Sequence, residues 1–320
     1  MPLGPARGLR IAALLLSSAA LALPARAVPP RESGPPHAEA GRTIEGPGGG
    51  LYVEVLGSGS GTPLVVINGG PGLDHAHLHC TAAWESLALR RRVVLYDQRG
   101  VGRSDRLAPG AGVTTGDQAA DLEAVRRFLG AERLDLLGHS YGGFLAMEYA
   151  AENPARVAHL ILCDSASPNW SRTSNVVRAL FPERGAILDS LAAPGIDGPT
   201  FRRVYRDFMG MMFCRPEKRE EFLAHPEWND PVREVNRALT EDMRDQDLSP
   251  ALAEFGARRR FPVLVATGRY DVITTPATAY QIHLQVRGSR FEVFEQSGHL
   301  PFFEEPAAFV RVVDGFLSGS

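Results

Sequence analysis

Residues 136–150 of the chain read LLGHSYGGFLAMEYA: a short apolar run, a serine between glycines, and then a series of helix-forming residues. The apolar run is typical of a buried β-strand, and the residues after the glycines are typical of a helix. Gly138, Ser140 and Gly142 fit the pattern G-x-S-x-G, in which a serine occupies a sharp strand-to-helix turn. We therefore predict that Ser140 is exposed above the edge of a sheet, where the helix dipole favours negative charge.

The segments on either side of this stretch alternate between apolar, strand-like runs and amphipathic, helical runs. Residues 91–98 (RRVVLYDQ) and 156–163 (RVAHLILC) are strand-like, and residues 114–132 have helical periodicity. Continuously apolar strands separated by helices are typical of a parallel sheet that is covered on both faces. The sequence therefore predicts an α/β fold with a mostly parallel central sheet flanked by helices.

Two further strand-like runs come earlier, LYVEVLG (51–57) and PLVVING (63–69). The glycine-rich segment SGSGT (58–62) separates them. A short polar, glycine-rich connection between two strand-like runs predicts a hairpin.

The strand-helix alternation stops between about residues 168 and 260. This stretch has amphipathic pieces such as FRRVYRDFMGMMF (201–213), and its methionine and aromatic residues are typical of a packing surface. Strand-like runs return with FPVLVATG (261–268). We predict a core in two parts, residues 42–167 and 260–320, with a helical cap at residues 168–259.

The amino terminus has the pattern of a secretory signal peptide. Two arginines precede the apolar run IAALLLSSAALAL, which is too short to span a bilayer, and small residues end at Ala27. We predict a signal peptide at residues 1–27, a flexible proline-rich leader at 28–41, and a protein that is exported to the periplasm or secreted. A short membrane anchor is the alternative interpretation of the same apolar run.

Charge and cysteine content exclude some classes of partner. The chain has a formal net charge of −3, and residues 1–27 hold three arginines and no acidic residue, so the mature chain would carry −6. A net negative charge disfavours nucleic acid as a partner. The three cysteines, Cys80, Cys163 and Cys214, permit at most one disulfide. Cys163 ends an apolar run and is predicted to be buried, whereas pairing of the other two stays open.

A serine hydroxyl needs a base, and the base needs an acid that orients it. Asp271 and His299 each follow a strand-like run, in the order Ser-Asp-His. The carboxyl ends of parallel strands meet at one edge of a sheet, so these residues are expected to lie near Ser140. Asp164, which ends another strand, is the alternative acid. His139 is interpreted as a packing or turn residue.

The glycine-rich loop NGGPG (68–72) follows a strand and suits the binding of an oxyanion. We predict that the backbone N–H groups of Gly70 and Tyr141 are the donors and that Gly69 shapes the loop, close to the substrate with Asn68. Three histidines follow in the segment DHAHLHC (74–80), but their spacing matches no established ligand pattern. We predict no metal and no organic cofactor.

The motifs NGGPG, YDQRGVGRSD, GHSYGG, GRYDVITTP and SGHLPFFEEP together resemble the proline iminopeptidase branch of the α/β-hydrolases. That family usually has histidine at the position of Asn68. The resemblance implies an α/β-hydrolase fold, release of N-terminal proline from small peptides, and acidic cap residues that hold the free amino group. Glu234 and Glu241 are the candidates in one cap segment, and Glu227 and Asp230 are those in another.

The leading functional interpretation is an exported serine hydrolase that cleaves an N-terminal prolyl bond through a Ser140-His299-Asp271 triad. A carboxylesterase or lactonase with the same triad is the closest alternative. A cofactor-free haloperoxidase would share the triad, whereas Ser140 argues against an aspartate nucleophile, as in epoxide hydrolases and dehalogenases. A non-catalytic binding protein is the alternative from another class. The expected partner is a small molecule or short peptide, with no stable membrane association after signal cleavage.

Overall fold

A computed structural model describes residues 39–170, 176–193, 195–225, 231–258 and 260–319. The predicted signal peptide and most of the predicted leader lie outside these residues, as do the candidate cap acids Glu227 and Asp230. No helix in the described ranges has the length and apolar character required to cross a membrane.

The centre of the fold is an eight-stranded sheet with the strand order β1-β2-β4-β3-β5-β6-β7-β8. The β1/β2 and β2/β4 pairs are antiparallel, and all other neighbours are parallel. The predicted mostly parallel sheet is therefore confirmed. The strands are β1 (Glu39–Gly46), β2 (Gly49–Leu56), β3 (Leu64–Ile67), β4 (Val93–Tyr96), β5 (Leu134–His139), β6 (Val157–Cys163), β7 (Val263–Gly268) and β8 (Arg290–Phe294).

Helices cover both faces of this sheet. Along β3, Val65 and Ile67 belong to one cluster of buried side chains, whereas Leu64 and Val66 belong to the other, so the sheet separates two apolar cores. The helices are α1 (Ala83–Ala88), α2 (Thr115–Phe128), α3 (Tyr141–Glu152), α4 (Val177–Leu180), α5 (Gly185–Ala192), α6 (Gly198–Met209), α7 (Pro216–Leu223), α8 (Arg233–Arg244), α9 (Ser249–Arg258), α10 (Pro276–Gln285), α11 (Pro301–Glu304) and α12 (Pro306–Leu317). The described helices between β6 and β7 are α4 to α9, in the stretch predicted to form the cap.

The predicted hairpin between the runs at 51–57 and 63–69 is wrong. β2 forms its hairpin with β1 instead, and β3 lies in the interior of the sheet between β4 and β5. β3 is buried along its whole length, which favours a central parallel position over an antiparallel edge. β1 also includes residues 39–41, which the sequence analysis had assigned to the leader.

All three cysteines lie in the described part of the chain, and none of them forms a disulfide bond. Cys163 is fully buried at the end of β6, as predicted from its apolar run. The fold is therefore held by its apolar cores and hydrogen bonds without a covalent cross-link among these residues.

Candidate active site

Ser140 occupies a strained turn between β5 and α3. Its backbone has φ 55° and ψ −119°, outside the regions that non-glycine residues favour. The flanking glycines allow close packing: a Cβ at Gly138 would lie 2.3 Å from the carbonyl oxygen of Gly142, and one at Gly142 would lie 2.0 Å from that of Ile67. Only glycine fits at these two positions, so the sequence G-x-S-x-G is what allows Ser140 this position.

His299 and Asp271 are brought together by the loops that follow β8 and β7. The His299 Nδ1 atom lies 2.7 Å from Asp271 Oδ2, and both side chains are buried. The backbone N–H of His299 donates to the carbonyl of Met212, which fixes the loop from the cap side. Because Nδ1 faces a carboxylate, Nε2 is the ring nitrogen left to accept a proton from a substrate or a nucleophile.

Asp271 is held as a carboxylate. Its Oδ1 accepts hydrogen bonds from the backbone N–H groups of Ile273 and Thr274 at 2.7 and 3.1 Å, and its Oδ2 accepts from the Thr274 hydroxyl at 2.8 Å. Burial pushes the pKa of Asp271 upward, but the charge and hydrogen bond of His299, together with hydrogen bonds from Asp164 and Thr274, lower it to about 2.

Asp164, the alternative acid of the sequence analysis, lies beside Asp271 and not against His299. Its Oδ1 accepts a hydrogen bond from the backbone N–H of Gly268 at 2.8 Å. Burial, followed by the neighbouring charge of Asp271, raises the pKa of Asp164 well above its usual value. Of the two carboxyl groups, Asp271 therefore carries the charge, and a protonated Asp164 donates a hydrogen bond to it.

Ser140 and His299 open into one cavity of about 740 Å³, which Gly69, Gly70 and Tyr141 also line. Gly70 has φ +72°, a conformation that suits glycine, and its carbonyl accepts a hydrogen bond in a tight turn. Tyr141 is the first residue of α3, so its backbone N–H has no acceptor within the helix. The site thus combines a serine, an imidazole–carboxylate pair and two backbone N–H candidates for an oxyanion.

Asn68, predicted to bind substrate, does not line this cavity. Its side chain is fully buried, and its amide donates to the carbonyl oxygens of Leu73 and Asp74 at 3.1 and 3.3 Å. Gln98 in turn donates to the Asn68 carbonyl at 3.1 Å. Asn68 therefore fastens the glycine-rich loop from behind, because its short side chain reaches back toward the loop rather than toward solvent.

Two histidines of the site were not predicted to be there. His139 packs with its ring centroid 4.8 Å from that of His299, and its Nε2 lies 2.8 Å from the His299 carbonyl oxygen. His77 lines the cavity, and burial lowers its pKa to about 4, which keeps it neutral at physiological pH. The cluster of histidines at 75–79 was the only sequence signal for His77, and it did not show which ring faces the cavity.

The cap closes the cavity with apolar walls and a charged rim. Glu241 is the one acidic residue among the described lining residues, and its Oε1 atom lies 4.0 Å from Arg237 Nε. Glu234 is exposed on the same helix and does not line the cavity. Two further arginines, Arg233 and Arg244, contribute to the rim. The apolar walls include Phe201, Tyr205, Met209, Met212, Met243 and Ile273.

Comparison with known proteins finds similar hydrolases. The chain is 29% identical over 274 residues to a proline iminopeptidase of Heyndrickxia coagulans, with 82% of this chain and 92% of that protein covered. It is 27% identical over 296 residues to a proline iminopeptidase of Neisseria gonorrhoeae, with 83% and 92% covered. A solved structure of an esterase from Exiguobacterium antarcticum superimposes with a TM-score of 0.69 at 26% identity, with 87% of this chain and 99% of that one covered.

The family assignment rests on a family model that matches more than half of the chain. A family model described as the alpha/beta hydrolase fold matches residues 62–306, which include the strained strand-to-helix turn at Ser140 (the elbow) and the loops of Asp271 and His299. This chain belongs to the α/β-hydrolase fold family.

Proposed function

We propose that the protein is a serine hydrolase that opens a carbonyl substrate through an acyl-enzyme intermediate. The observation that carries this proposal is the buried His299–Asp271 pair at 2.7 Å, which shares a cavity with Ser140 on its strained elbow. A serine held in this way has a base within its own pocket and an acid that orients the base.

The reaction would proceed in two halves. Ser140 Oγ attacks the carbonyl carbon while His299 Nε2 takes its proton, and the backbone N–H groups of Gly70 and Tyr141 stabilise the oxyanion. The protonated His299 then gives its proton to the leaving group as the bond to it breaks. Water attacks the acyl-enzyme in the same way and releases the acid. Loss of one oxyanion donor typically costs about 3 kcal/mol of transition-state stabilisation.

For the substrate, we propose an N-terminal prolyl peptide bond. Two relatives that match over four fifths of the chain are named proline iminopeptidases, and the motif NGGPG points the same way. A free substrate ammonium needs a carboxylate when it is desolvated. Glu241 at the rim of the cavity is the candidate for this role, whereas the exposed Glu234 has no such position.

A second candidate, a small or medium-sized ester or lactone, is favoured by the charges at the rim. Three arginines, Arg233, Arg237 and Arg244, accompany the single glutamate, and the walls are apolar. A basic rim disfavours an ammonium group and favours a neutral or anionic substrate. The esterase from Exiguobacterium antarcticum, at 26% identity, supports the same chemistry on this fold.

The two substrates can be separated with paired kinetics. We expect the protein without residues 1–27 to hydrolyse proline 4-nitroanilide, and Ser140→Ala to abolish that activity and labelling by a fluorophosphonate probe. Rapid cleavage of 4-nitrophenyl esters with negligible turnover of the anilide would replace the peptidase by the esterase. Equal probe labelling of both proteins would exclude Ser140 as the nucleophile and revive a binding role.

The amine-binding role of Glu241 has a matched control on the same helix. Glu241→Gln is expected to raise KM for proline 4-nitroanilide about tenfold with a small change in kcat, since it removes one charge-assisted contact. Glu234→Gln changes an exposed glutamate outside the cavity and is expected to leave KM unchanged. Equal effects of both variants on KM would contradict a specific contact.

We propose export as well, on the signal pattern of residues 1–27. Expression of the full chain in a bacterial host, followed by fractionation and intact-mass measurement, is expected to give a periplasmic or extracellular product that begins at Val28. A product that keeps residues 1–27 in the cytosol would contradict this proposal.

A further inference from the structure

A second cavity, of about 710 Å³, lies outside the candidate active site, and two histidines and a glutamate line it. Glu54 comes from β2. His75 precedes the short 3-10 helix Ala76–Cys80 that follows the glycine-rich loop, and His79 lies within this helix. His75 and Glu54 are buried, and the His79 side chain is 22% exposed. None of these three side chains has a part in the proposed reaction.

The spacing of the three side chains fits a single metal ion. The His75 Nε2 atom lies 3.3 Å from Glu54 Oε1, the His79 Nε2 atom lies 3.1 Å from Glu54 Oε2, and one ligand atom from each residue lies within 4.8 Å of the other two. Tetrahedral zinc with bonds of about 2.0–2.1 Å places its ligand atoms roughly 3.3 Å apart. The cluster therefore needs little rearrangement to surround an ion.

The imidazole of His75 is oriented for this purpose. Its Nδ1 lies 2.6 Å from Asp97 Oδ1, which fixes the ring, as second carboxylates do behind metal-bound histidines. Its Nε2 is buried and has no hydrogen-bond partner among the described residues, because the 3.3 Å contact to Glu54 lacks the geometry of a hydrogen bond. This nitrogen faces a carboxylate and a second imidazole, and it becomes a ligand when an ion displaces its proton.

The surrounding charges leave one oxygen of Glu54 for a cation. Arg103 donates to Oε1 at 2.8 Å, and Tyr52 donates to the same atom at 3.1 Å. Oε2 therefore remains for an ion shared with His79. The Arg103 side chain is 57% exposed, and Asp97 adds a second buried negative charge behind His75. The cluster can thus hold a divalent ion without burying a large excess of positive charge.

We propose that Glu54, His75 and His79 bind one divalent transition-metal ion of the zinc class, with a fourth position open to the cavity. Two imidazole nitrogens and one carboxylate oxygen suit Zn²⁺ and do not suit Mg²⁺ or Ca²⁺. The ion would tie the segment that runs from Gly69 to Cys80, and with it the oxyanion candidate Gly70, to β2. This structural role is independent of the proposed function.

The test uses tag-free protein that has been stripped with a chelator and titrated with Zn²⁺ by calorimetry, with metal content measured after dialysis. We expect one Zn²⁺ per chain, no measurable Mg²⁺ binding, and a tetrahedral d–d spectrum with Co²⁺. Loss of an outer-shell partner weakens metal binding roughly 10- to 100-fold, so His79→Ala, which removes a ligand, is expected to weaken it by at least about 100-fold.

His159→Ala is the matched control. The His159 Nδ1 atom lies 2.8 Å from Asp135 Oδ1, and the side chain is 25% exposed, close to the exposure of His79. Among the described residues, His159 belongs to no cluster of metal-ligating side chains. This variant is expected to keep the affinity of the parent protein. Absence of Zn²⁺ binding by the parent would overturn the proposal and leave the cluster as an ion-pair network. Equal affinity of the parent and a folded His79→Ala would overturn it too.

Discussion

Replacement of each buried aspartate by asparagine separates the roles of Asp271 and Asp164. The Oδ1 atom of Asp271 accepts two backbone N–H groups, so an asparagine there must place its carbonyl toward those donors and its NH₂ toward His299. That NH₂ would face His299 Nδ1 and force the ring proton onto Nε2. The imidazole would then be unable to accept the proton of Ser140, although its position would be unchanged.

The expected magnitude differs greatly between the two variants. A wrong imidazole tautomer with intact geometry lowers kcat by about 10⁴ in a known serine protease, which corresponds to about 5.5 kcal/mol, so we expect a similar loss for Asp271→Asn. Asp164→Asn replaces a protonated carboxyl by an amide of the same shape. Its carbonyl can still accept from Gly268 and its NH₂ can still donate to Asp271. We expect its kcat/KM to stay within about threefold of the parent value.

The assay is kcat/KM at pH 8 on whichever substrate the parent cleaves, with thermal unfolding of both variants as a check on folding. The rates of fluorophosphonate labelling compare the reactivity of Ser140 in the two variants without requiring a known substrate. If Asp164→Asn lost as much activity as Asp271→Asn while it remained folded, Asp164 would be the charged partner of the base. The assignment of charge within the pair would then be wrong.

Three other predictions concern the elbow, the loop and a buried glutamate. Gly138→Ala places a Cβ 2.3 Å from the Gly142 carbonyl oxygen and is expected to lower the free energy of unfolding in urea by about 3 kcal/mol. Gly112→Ala is the control, because nothing lies within 4 Å of its Cβ, and it should change this free energy by less than about 0.5 kcal/mol. Gly70→Ala keeps the backbone N–H but imposes a side chain at φ +72°, so the loop should shift this donor and kcat should fall 10²- to 10³-fold, as it does when an oxyanion donor is lost. An unchanged kcat would show that catalysis does not depend on this backbone conformation. Burial, aided by repulsion from neighbouring carboxylates, raises the pKa of Glu148 to about 7 from 4.5, so the folded state binds this proton more tightly than the unfolded state. The stabilisation by protonated Glu148 is therefore complete below pH 4.5 and is lost as the pH rises through 7. At pH 8, Glu148→Gln should have a free energy of unfolding in urea about 1–2 kcal/mol higher than that of the parent protein. The difference should be smaller at pH 5.

The sheet and the three proposed reactive side chains could be predicted because each leaves a local pattern. Buried parallel strands such as β5 and β7 are continuous apolar runs; Ser140 directly follows β5, and Asp271 and His299 lie in the loops after β7 and β8. Parallel strands carry their carboxyl ends to one edge, so the order of elements was enough to bring these residues together. The predicted hairpin between β2 and β3 is wrong because the pairing partners of short apolar strands are set by the whole sheet, and β3 lies in its interior.

Positions that depend on depth or register could not be predicted. Glu234 and Glu241 are seven residues apart on α8 and share a face, yet two helical turns, about 10 Å, separate them, and only Glu241 reaches the cavity. Glu54 meets His75 and His79 because β2 packs antiparallel to β4 at the side of the loop. No local pattern in the sequence gives that register, so the histidines alone predicted no metal.

The structure adds a physical reason for the choice of Asp271 over Asp164 as the acid. Both residues follow buried strands that are neighbours in the sheet, so both carboxyl groups reach the same place. Two adjacent buried carboxylates cannot both be ionised without a large cost. The charge is stabilised on Asp271, where two backbone N–H groups, a hydroxyl and the His299 imidazole converge. Asp164 receives one backbone N–H and longer contacts of 3.3 Å from the Thr267 hydroxyl and the Cys163 thiol. Burial beside the charge of Asp271 raises its pKa, so it keeps its proton and acts on the base through Asp271.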